Sequence, residues 1–485
     1  MMSPKLSISF SFTPIINQKT IMKKIVLTLL LFSSLIIYAQ NTAIPDPKFE
    51  QALIDLKIDS GIINGVVKTS AISGITSLSL FPNTSGNTAT AITDLTGIEA
   101  FTSLTSLYCA FQKLTSLNTS TLTKLTSLTC SNNLLTTLDV TKNTKLTDIS
   151  CDGNKITTLD LTKNTALTYL DCYINSLTSI DISKNTALTS LICYTNLLTS
   201  LDVSKNTNLA TLYCQDNKLS SLNITANKKI DYFNCGTNQL TSLDISNNTA
   251  LVSIIASNNL LTSLSIVKNP LLKVLAISNN QIPSMDISKH TALQDYECNS
   301  NPLKTLDVSK NVNLYTLYCN NIQLTTLDVS TLVKLVYLQA SNNTLKNANL
   351  KNGKNTLMTP FTPDLSNNPG LTCIQVDNVA YSNSNWSRKP SGASYSTSCT
   401  FLSVADVVFD KLTIYPNPTK DELHIDNVAL EESTIYDTLG RKIKTNTFDN
   451  AATNNTIDLS GFNKGLYYIY LQSNGAVSVK KIIVE

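Results

Sequence analysis

The chain alternates hydrophobic and polar residues in short segments that recur every 21 residues. In the segment 167–188, Leu170 and Cys172 flank Asp171, and this alternation places the leucine and the cysteine on one face of a β-strand. The cysteine position repeats without insertion at Cys109, Cys130, Cys151, Cys172, Cys193, Cys214, Cys235, Ala256, Ile277, Cys298, Cys319 and Ala340. A fixed period of this length is typical of a solenoid, in which each repeat is one coil stacked on the last. We therefore predict a mainly β solenoid with one parallel sheet, whose inner face forms the core.

The residues around each cysteine resemble the leucine-rich repeat. Within one coil they follow the order L-x-x-L-x-C-x-x-N-x-L, with cysteine in place of the usual third aliphatic residue, at Leu167, Leu170, Cys172, Asn175 and Leu177. The resemblance implies a right-handed leucine-rich repeat solenoid, which we assign to residues 104–364. The asparagine recurs from Asn133 to Asn301, is interrupted by Ile322 and resumes at Asn343. We expect its amide to satisfy backbone groups at the turn and to bond neighbouring asparagines.

The second half of each coil carries a column of aspartates, followed three residues later by a column of lysines. The aspartates include Asp139, Asp160, Asp181, Asp202, Asp244, Asp286, Asp307 and Asp328. Two interpretations are open, a solvated convex face of alternating charge and a row of calcium sites. We favour the solvated face, because one carboxylate per coil is a poor cage for an ion that takes about six to eight oxygen ligands.

The eleven cysteines suggest two different roles. Nine occupy the repeated core position, where metal sites and stacked disulfides are the alternatives to small buried hydrophobic side chains. The spacing lacks C-x-x-C pairs and the column accepts alanine and isoleucine, so we interpret these cysteines as core residues without a metal. Cys373 and Cys399 lie off the column, in a segment 365–400 that we interpret as a C-terminal cap. They are candidates for a disulfide, and two independent buried thiols are the alternative.

The N-terminal region predicts a secretory signal. From Met22 the sequence MKKIVLTLLLFSSLIIYAQ combines two lysines, a short apolar stretch and a small residue, Ala39, before an expected cleavage site. Residues 1–39 are therefore an N-terminal extension plus signal peptide, and we expect Met22 to be the true start. Phe49, Leu53 and Leu56 recur at helical spacing, so residues 40–103 predict a cap with a short helix and an irregular first coil. We expect no transmembrane segment in the mature chain.

Residues 401–485 differ from the repeats and predict a linker followed by a small β-domain. Its motifs resemble the type A C-terminal sorting domain of the type IX secretion system, in family order: Tyr415-Pro416-Asn417-Pro418, Ile435-Tyr436-Asp437, Leu439-Gly440-Arg441, Gly465-Leu466-Tyr467 and Lys481-Ile482-Ile483-Val484-Glu485. The resemblance implies a β-sandwich that is recognised by an outer-membrane translocon and removed on arrival. It also implies a secreted protein, or one on the outer cell surface of a Gram-negative bacterium.

Composition narrows the possible functions. The formal net charge is +3 and charged residues make up 15% of the chain, without a basic stripe, so we expect no nucleic-acid partner. The two histidines, His290 and His424, have no nucleophile nearby in sequence, and His290 occupies a position that holds asparagine in most coils. We therefore predict no enzyme, no catalytic residue, no bound metal and no cofactor.

A ligand surface is expected on the outward face of the strands, where residues vary while the core does not. The outward positions lie three before, one before and one after each cysteine position. A first group of candidates contains Asp148, Asp152, Tyr169, Asp171, Tyr173, Tyr194, Tyr213 and Tyr232, with Tyr108 beside it. A second, less favoured group contains Asp295, Glu297, Tyr318, Tyr337 and Gln339. Tyrosine suits binding surfaces, but it also has a high β-propensity, which is the alternative explanation.

Three functions remain open at this point. The first is a non-catalytic adhesion module that binds a protein or glycan on a cell surface. The second is a structural spacer without a specific ligand. The third is a non-catalytic part of a surface enzyme complex.

Overall fold

The structure, a computed structural model, describes residues 41–81, 91–358, 362–399, 408–449, 452–473 and 476–485. The predicted signal peptide and Met22 lie outside these residues. The chain divides into two compact units, residues 1–198 and 199–485, which are described one after the other.

The first unit begins with a cap around a short helix. Strand β1 (Asn41–Ala43) pairs antiparallel with β2 (Val66–Lys68), helix α1 spans Pro47–Asp55 and helix α2 spans Thr69–Ile72. Asp46 caps α1, because its Oδ1 accepts from the backbone N of Lys48 at 2.8 Å. Phe49 and Leu53 of α1 are buried as predicted, whereas Leu56 is 45% exposed. The helix ends at Asp55, so Leu56 leaves the apolar face.

Each following coil contributes one short strand to a parallel sheet. The strands of the first unit are β3 (Ser77–Ser79), β4 (Ser106–Tyr108), β5 (Ser127–Thr129), β6 (Asp148–Ser150), β7 (Tyr169–Asp171) and β8 (Ser190–Ile192). A 3₁₀ turn, Ile98–Ala100, precedes β4. From β4 to β8 the register partners are 21 residues apart, so Leu107, Leu128, Ile149, Leu170 and Leu191 align in one buried row.

The second unit continues the same repeat and adds a second parallel sheet. The strands that follow the cysteine repeat, whose outward side we name the strand face, are β9 (Thr211–Tyr213), β10 (Tyr232–Asn234), β11 (Ser253–Ile255), β12 (Val274–Ala276), β13 (Asp295–Glu297), β14 (Thr316–Tyr318) and β16 (Tyr337–Gln339). The additional sheet contains β15 (Thr326–Asp328), β17 (Asn347–Asn349), β18 (Cys373–Gln375) and β19 (Ser394–Ser396). A 3₁₀ turn (Asn355–Leu357) and helix α3 (Val379–Asn385) complete this part. The prediction of a mainly β solenoid is confirmed, but the second sheet was not anticipated.

The predicted asparagine column binds backbone groups, as the contacts of Asn154 illustrate. Asn154 Nδ2 lies 3.1 Å from the carbonyl oxygen of Cys130 and 3.0 Å from that of Cys151. Its Oδ1 accepts from the backbone N of Leu135 at 3.0 Å. The predicted backbone role is therefore confirmed. The predicted bond between neighbouring asparagines is wrong at Asn154, because both ends of the amide already bind the backbone.

A second buried asparagine column, for which no role was predicted from the sequence, binds the backbone in the second half of each coil. Asn164 Nδ2 donates to the carbonyl oxygens of Val140 at 3.0 Å and Asn143 at 2.9 Å. His290 occupies this column, and its Nε2 lies 3.0 Å from the carbonyl oxygen of Ile266, at the same separation of 24 residues as Asn164 and Val140. His290 is therefore a structural substitute for asparagine.

The cysteines form two chemical classes. Nine lie in the repeats and are not disulfide-bonded, and they have no exposed surface: Cys109, Cys130, Cys151, Cys172, Cys193, Cys214, Cys235, Cys298 and Cys319. Burial raises the pKa of Cys109 and Cys235 to about 12, so these thiols stay protonated at neutral pH. The structure has a disulfide between Cys373 and Cys399, with their Cα atoms 6.1 Å apart.

The C-terminal module consists of two antiparallel sheets that share one core. One sheet contains β20 (Thr413–Tyr415), β21 (Glu422–Asp426) and β24 (Asn454–Asp458). The other contains β22 (Glu432–Asp437), β23 (Lys442–Thr447), β25 (Gly465–Ser473) and β26 (Ala476–Val484). Buried residues from both sheets, including Leu423, Ile457 and Ile469, belong to the same hydrophobic cluster. The predicted β-sandwich is therefore confirmed.

Candidate ligand-binding surface

Six of the predicted site residues come together in the first unit. Parallel pairing sets Asp148 of β6 beside Tyr169 of β7, and Asp171 ends the same strand. The residues after three successive cysteines, Asp152, Tyr173 and Tyr194, add a neighbouring row. The members of this set, which we name the acidic–aromatic cluster, are Asp148, Asp152, Tyr169, Asp171, Tyr173 and Tyr194.

Two tyrosine rings form the centre of the cluster. The rings of Tyr173 and Tyr194 stack with their centroids 4.4 Å apart and their planes inclined by 12°. Both side chains are half-buried, so ring surface remains accessible to a partner. Burial, the charge of Asp152 and a hydrogen bond from the Tyr173 hydroxyl to the Asp152 carboxylate raise the pKa of Tyr173. The stack is therefore held in place next to a negative charge.

The prediction that all the cluster aspartates are exposed is wrong for two of them. Asp152 is 5% exposed and Asp171 is 9% exposed. Asp152 turns toward the preceding coil, where it accepts hydrogen bonds from the hydroxyl of Ser131 and, at 3.3 Å, from the Nδ2 of Asn132. Asp171 accepts from the hydroxyl of Tyr169 at 3.3 Å. Neighbouring side chains that the sequence pattern does not connect therefore cover these carboxylates.

The environment of Asp171 favours its neutral form. Burial, and then the charge of Asp152, raise the pKa of Asp171 to about 6. The backbone N of Tyr173, at 3.5 Å, and the hydroxyl of Tyr169 oppose this increase only in part. Burial and the carboxylate of Asp171 raise the pKa of Tyr169 to about 12. Asp171 is therefore ionised at neutral pH, but it lies close to its titration range.

No basic residue neutralises these carboxylates. Within the described ranges, lysine or arginine pairs with a carboxylate at Arg388–Asp364, Arg441–Asp437 and Lys444–Asp458. None of these pairs includes a member of the acidic–aromatic cluster. The cluster is therefore a local concentration of uncompensated negative charge.

The remaining two residues of the first candidate group lie in the second unit. Tyr213 is half-buried and is the register partner of Asn234, and Tyr232 is 45% exposed and lies between Thr211 and Ser253. Their neighbours on the sheet are uncharged. Among the described strands, the named register partners of Tyr213 and Tyr232 are therefore not acidic.

The less favoured second group forms a comparable arrangement in the second unit. Glu297 is the register partner of Tyr318, and burial with the charge of Asp295 raises the pKa of Glu297. The ring of Tyr337 meets that of Tyr315 edge to face, with centroids 5.4 Å apart. Tyr315, which is 45% exposed, is a member of this arrangement that was not predicted from the sequence. The sequence contained a signal for Tyr315, because the equivalent position of earlier coils, from Thr105 to Thr189, holds threonine and the change to tyrosine departs from that pattern.

The aspartates of the opposite wall accept hydrogen bonds from residues that follow them in the chain. Asp139 Oδ1 accepts from the backbone N of Thr141 at 2.9 Å and from its hydroxyl at 2.7 Å, and these bonds lower the pKa of Asp139.

Among the described residues, no group of three or more His, Cys, Asp or Glu side chains could hold a metal ion. None of the helices found there is long and apolar enough to cross a bilayer.

The comparison with family models supports the assignment of the C-terminal module. Residues 413–485 match the secretion system C-terminal sorting domain. The match confirms the predicted sorting domain and indicates export by type IX secretion. The comparison with curated proteins found no match.

Solved structures with similar folds are internalins and other leucine-rich repeat proteins. The functional domain of InlJ from Listeria monocytogenes, which includes a cysteine ladder, is 28% identical with a TM-score of 0.56, over 92% of this chain and 99% of that one. An internalin, InlF, from the same organism is 22% identical with a TM-score of 0.58, over 62% of this chain and 90% of that one. The predicted leucine-rich repeat fold is therefore confirmed.

Proposed function

We propose that this exported leucine-rich repeat protein acts at the outer cell surface, or outside the cell, of a Gram-negative bacterium as a non-catalytic adhesion module. In this proposal the strand face binds a protein or a glycan. The C-terminal module is the part that engages the type IX secretion machinery.

The stacked pair of Tyr173 and Tyr194 carries the proposal. The alternative explanation, β-propensity, does not account for it, because both tyrosines follow the strands β7 and β8 and lie outside them. Stacked, partly exposed aromatic rings beside carboxylates provide flat apolar area together with hydrogen-bond acceptors. Binding hot spots are enriched in such side chains.

The experiment compares ligand binding by the full chain and by a Tyr173→Ser/Tyr194→Ser variant. A glycan array and a panel of purified surface proteins identify ligands, and biolayer interferometry measures each affinity. We expect the variant to bind its ligand about thirtyfold more weakly, which corresponds to loss of a hot spot of about 2 kcal/mol.

The matched control is Tyr232→Ser, which removes an exposed tyrosine without an acidic neighbour on the sheet. Thermal unfolding of all three proteins verifies that each remains folded. If no ligand binds, the protein is better explained as a spacer. If a ligand binds both variants with unchanged affinity, the site lies elsewhere.

A further inference from the structure

We infer that the ligand of the acidic–aromatic cluster is a basic polypeptide segment, with a lysine or arginine side chain seated among the carboxylates and against the tyrosine rings. This inference rests on the proposed function and specifies the chemistry of the partner.

The first observation is a separation of charge along the sequence. The three outward positions per coil, taken over the twelve coils, contain five acidic residues and no lysine or arginine. The acidic residues are Asp148, Asp152, Asp171, Asp295 and Glu297. The whole chain has 37 basic and 34 acidic residues, so it is slightly basic. The outward positions of the strands are therefore acidic, although the chain as a whole is slightly basic.

The second observation is the unrelieved repulsion inside the cluster. Asp152 and Asp171 interact as like charges, and neither has an ion pair in the described part of the chain. A cation bound next to them would reduce this repulsion and would favour the ionised form of Asp171. Complementary charges of this kind increase both the specificity and the rate of association.

The third observation is the position of the aromatic rings relative to the charges. Tyr173 stacks on Tyr194 and bonds Asp152 through its hydroxyl. An arginine can donate to a carboxylate while its flat guanidinium lies on an aromatic face, and lysine can make the same contacts as a point charge. One side chain could therefore use both parts of the cluster.

The same observations argue against other ligands. An acidic glycan or a nucleic acid would be repelled by the three carboxylates of the cluster. A divalent cation requires about six or more oxygen ligands, but the carboxylates of Asp152 and Asp171 already accept bonds from Ser131, Asn132 and Tyr169. A neutral glycan could stack on the tyrosines, but it would gain little from the concentration of negative charge.

The experiment measures fluorescence anisotropy of a labelled Arg-Gly repeat peptide with the full chain. Glu-Gly and Gln-Gly repeat peptides and a labelled neutral dextran serve as comparison probes. The test variant is D148N/D152N/D171N. The matched control is D139N/D160N/D181N, which removes the same charge from exposed aspartates of the opposite wall in the same unit.

We expect the Arg-Gly peptide to bind the wild-type chain and the control, and to bind the test variant at least about tenfold more weakly. Its affinity should fall as the pH decreases through about 6, because a proton on Asp171 competes with the cation. It should also fall with added salt and remain unchanged by a chelator. A D295N/E297Q variant tests whether the second unit provides a further site of this kind.

Two outcomes separate this inference from the proposed function. If the surface ligand loses affinity in the Tyr173→Ser/Tyr194→Ser variant but not in D148N/D152N/D171N, the proposed function stands and the basic partner is wrong. If neither variant changes binding of that ligand, the binding site lies elsewhere, and both the role proposed for the tyrosine pair and the basic partner are wrong. Equal binding of the Arg-Gly peptide to test and control variants, or a strict requirement for calcium, also overturns the inference.

Discussion

Replacing Asp171 by asparagine should make the protein more stable at neutral pH while it weakens ligand binding. The carboxylate is ionised at pH 7 in a site that favours its neutral form. Asparagine keeps an oxygen that accepts a hydrogen bond but carries no charge. The hydrogen bonds that this substitution affects are weak, because the donors of Tyr169 and Tyr173 lie 3.3 and 3.5 Å from the carboxylate of Asp171.

The magnitude follows from the pKa of Asp171, which rises from 3.8 to about 6 on folding. Each pKa unit corresponds to 1.36 kcal/mol, so the upper bound is about 3 kcal/mol. Solvent screening at a surface site reduces this to about 1–2 kcal/mol. The folded state binds the proton more tightly than the unfolded state, so the contribution of Asp171 to wild-type stability decreases as the pH rises from about 4 to about 6. The variant lacks this decrease.

Urea denaturation of both proteins between about pH 4 and pH 7.5 measures the difference in unfolding free energy. We expect Asp171→Asn to be more stable by about 1–2 kcal/mol above pH 6.5, with the difference closing toward pH 4. Asp160→Asn is the control with the opposite sign, because the hydroxyl of Thr162 lowers the pKa of Asp160. A less stable Asp171→Asn protein at pH 7, or a difference independent of pH, would refute the reasoning.

Three further predictions concern the core, the cysteines and the C-terminal module. Asn164→Ala should lower the unfolding free energy in urea by about 2–4 kcal/mol, because two buried carbonyls lose their donor, while the exposed Lys163→Ala should change it little. Alkylation without reductant, followed by mass spectrometry, should modify the nine repeat cysteines only after denaturation and leave Cys373 and Cys399 unmodified; four disulfides among the repeats would contradict this. Deleting residues 413–485 should leave the protein in the periplasm by cell fractionation, and normal surface display of the truncated chain would show that the module is not the export signal.

The regular features of the fold could be predicted because each depends on one coil and its repetition. Alternation around Cys172 predicts a strand with a buried face, and the unbroken 21-residue step predicts the stacking. The second asparagine column was not interpreted, because an asparagine such as Asn164 between polar residues has the pattern of a surface turn. The second sheet was missed because the segment of β15 resembles the same part of earlier coils, where no strand forms.

The residues of the candidate site could be predicted from the sequence, but their burial and their pKa values could not. The outward positions of Tyr169, Tyr173 and Tyr194 follow from the strand alternation. The burial of Asp152 does not, because Ser131 and Asn132 of the preceding coil cover it. The raised pKa of Asp171 depends on its own burial and on the charge of Asp152, so it also requires the three-dimensional arrangement.

The asparagine columns also determine how such a chain can change its length during evolution. Asn164 binds carbonyls 24 and 21 residues earlier, and Asn185 has the same two separations, so the pattern of bonds is identical from coil to coil. Recombination that adds or removes one whole coil in frame therefore restores every such bond at the junction. Insertion of a single residue between Asn143 and Asn164 changes both separations at once. Selection should consequently tolerate variation in copy number of coils between related strains while it removes smaller insertions from the repeats.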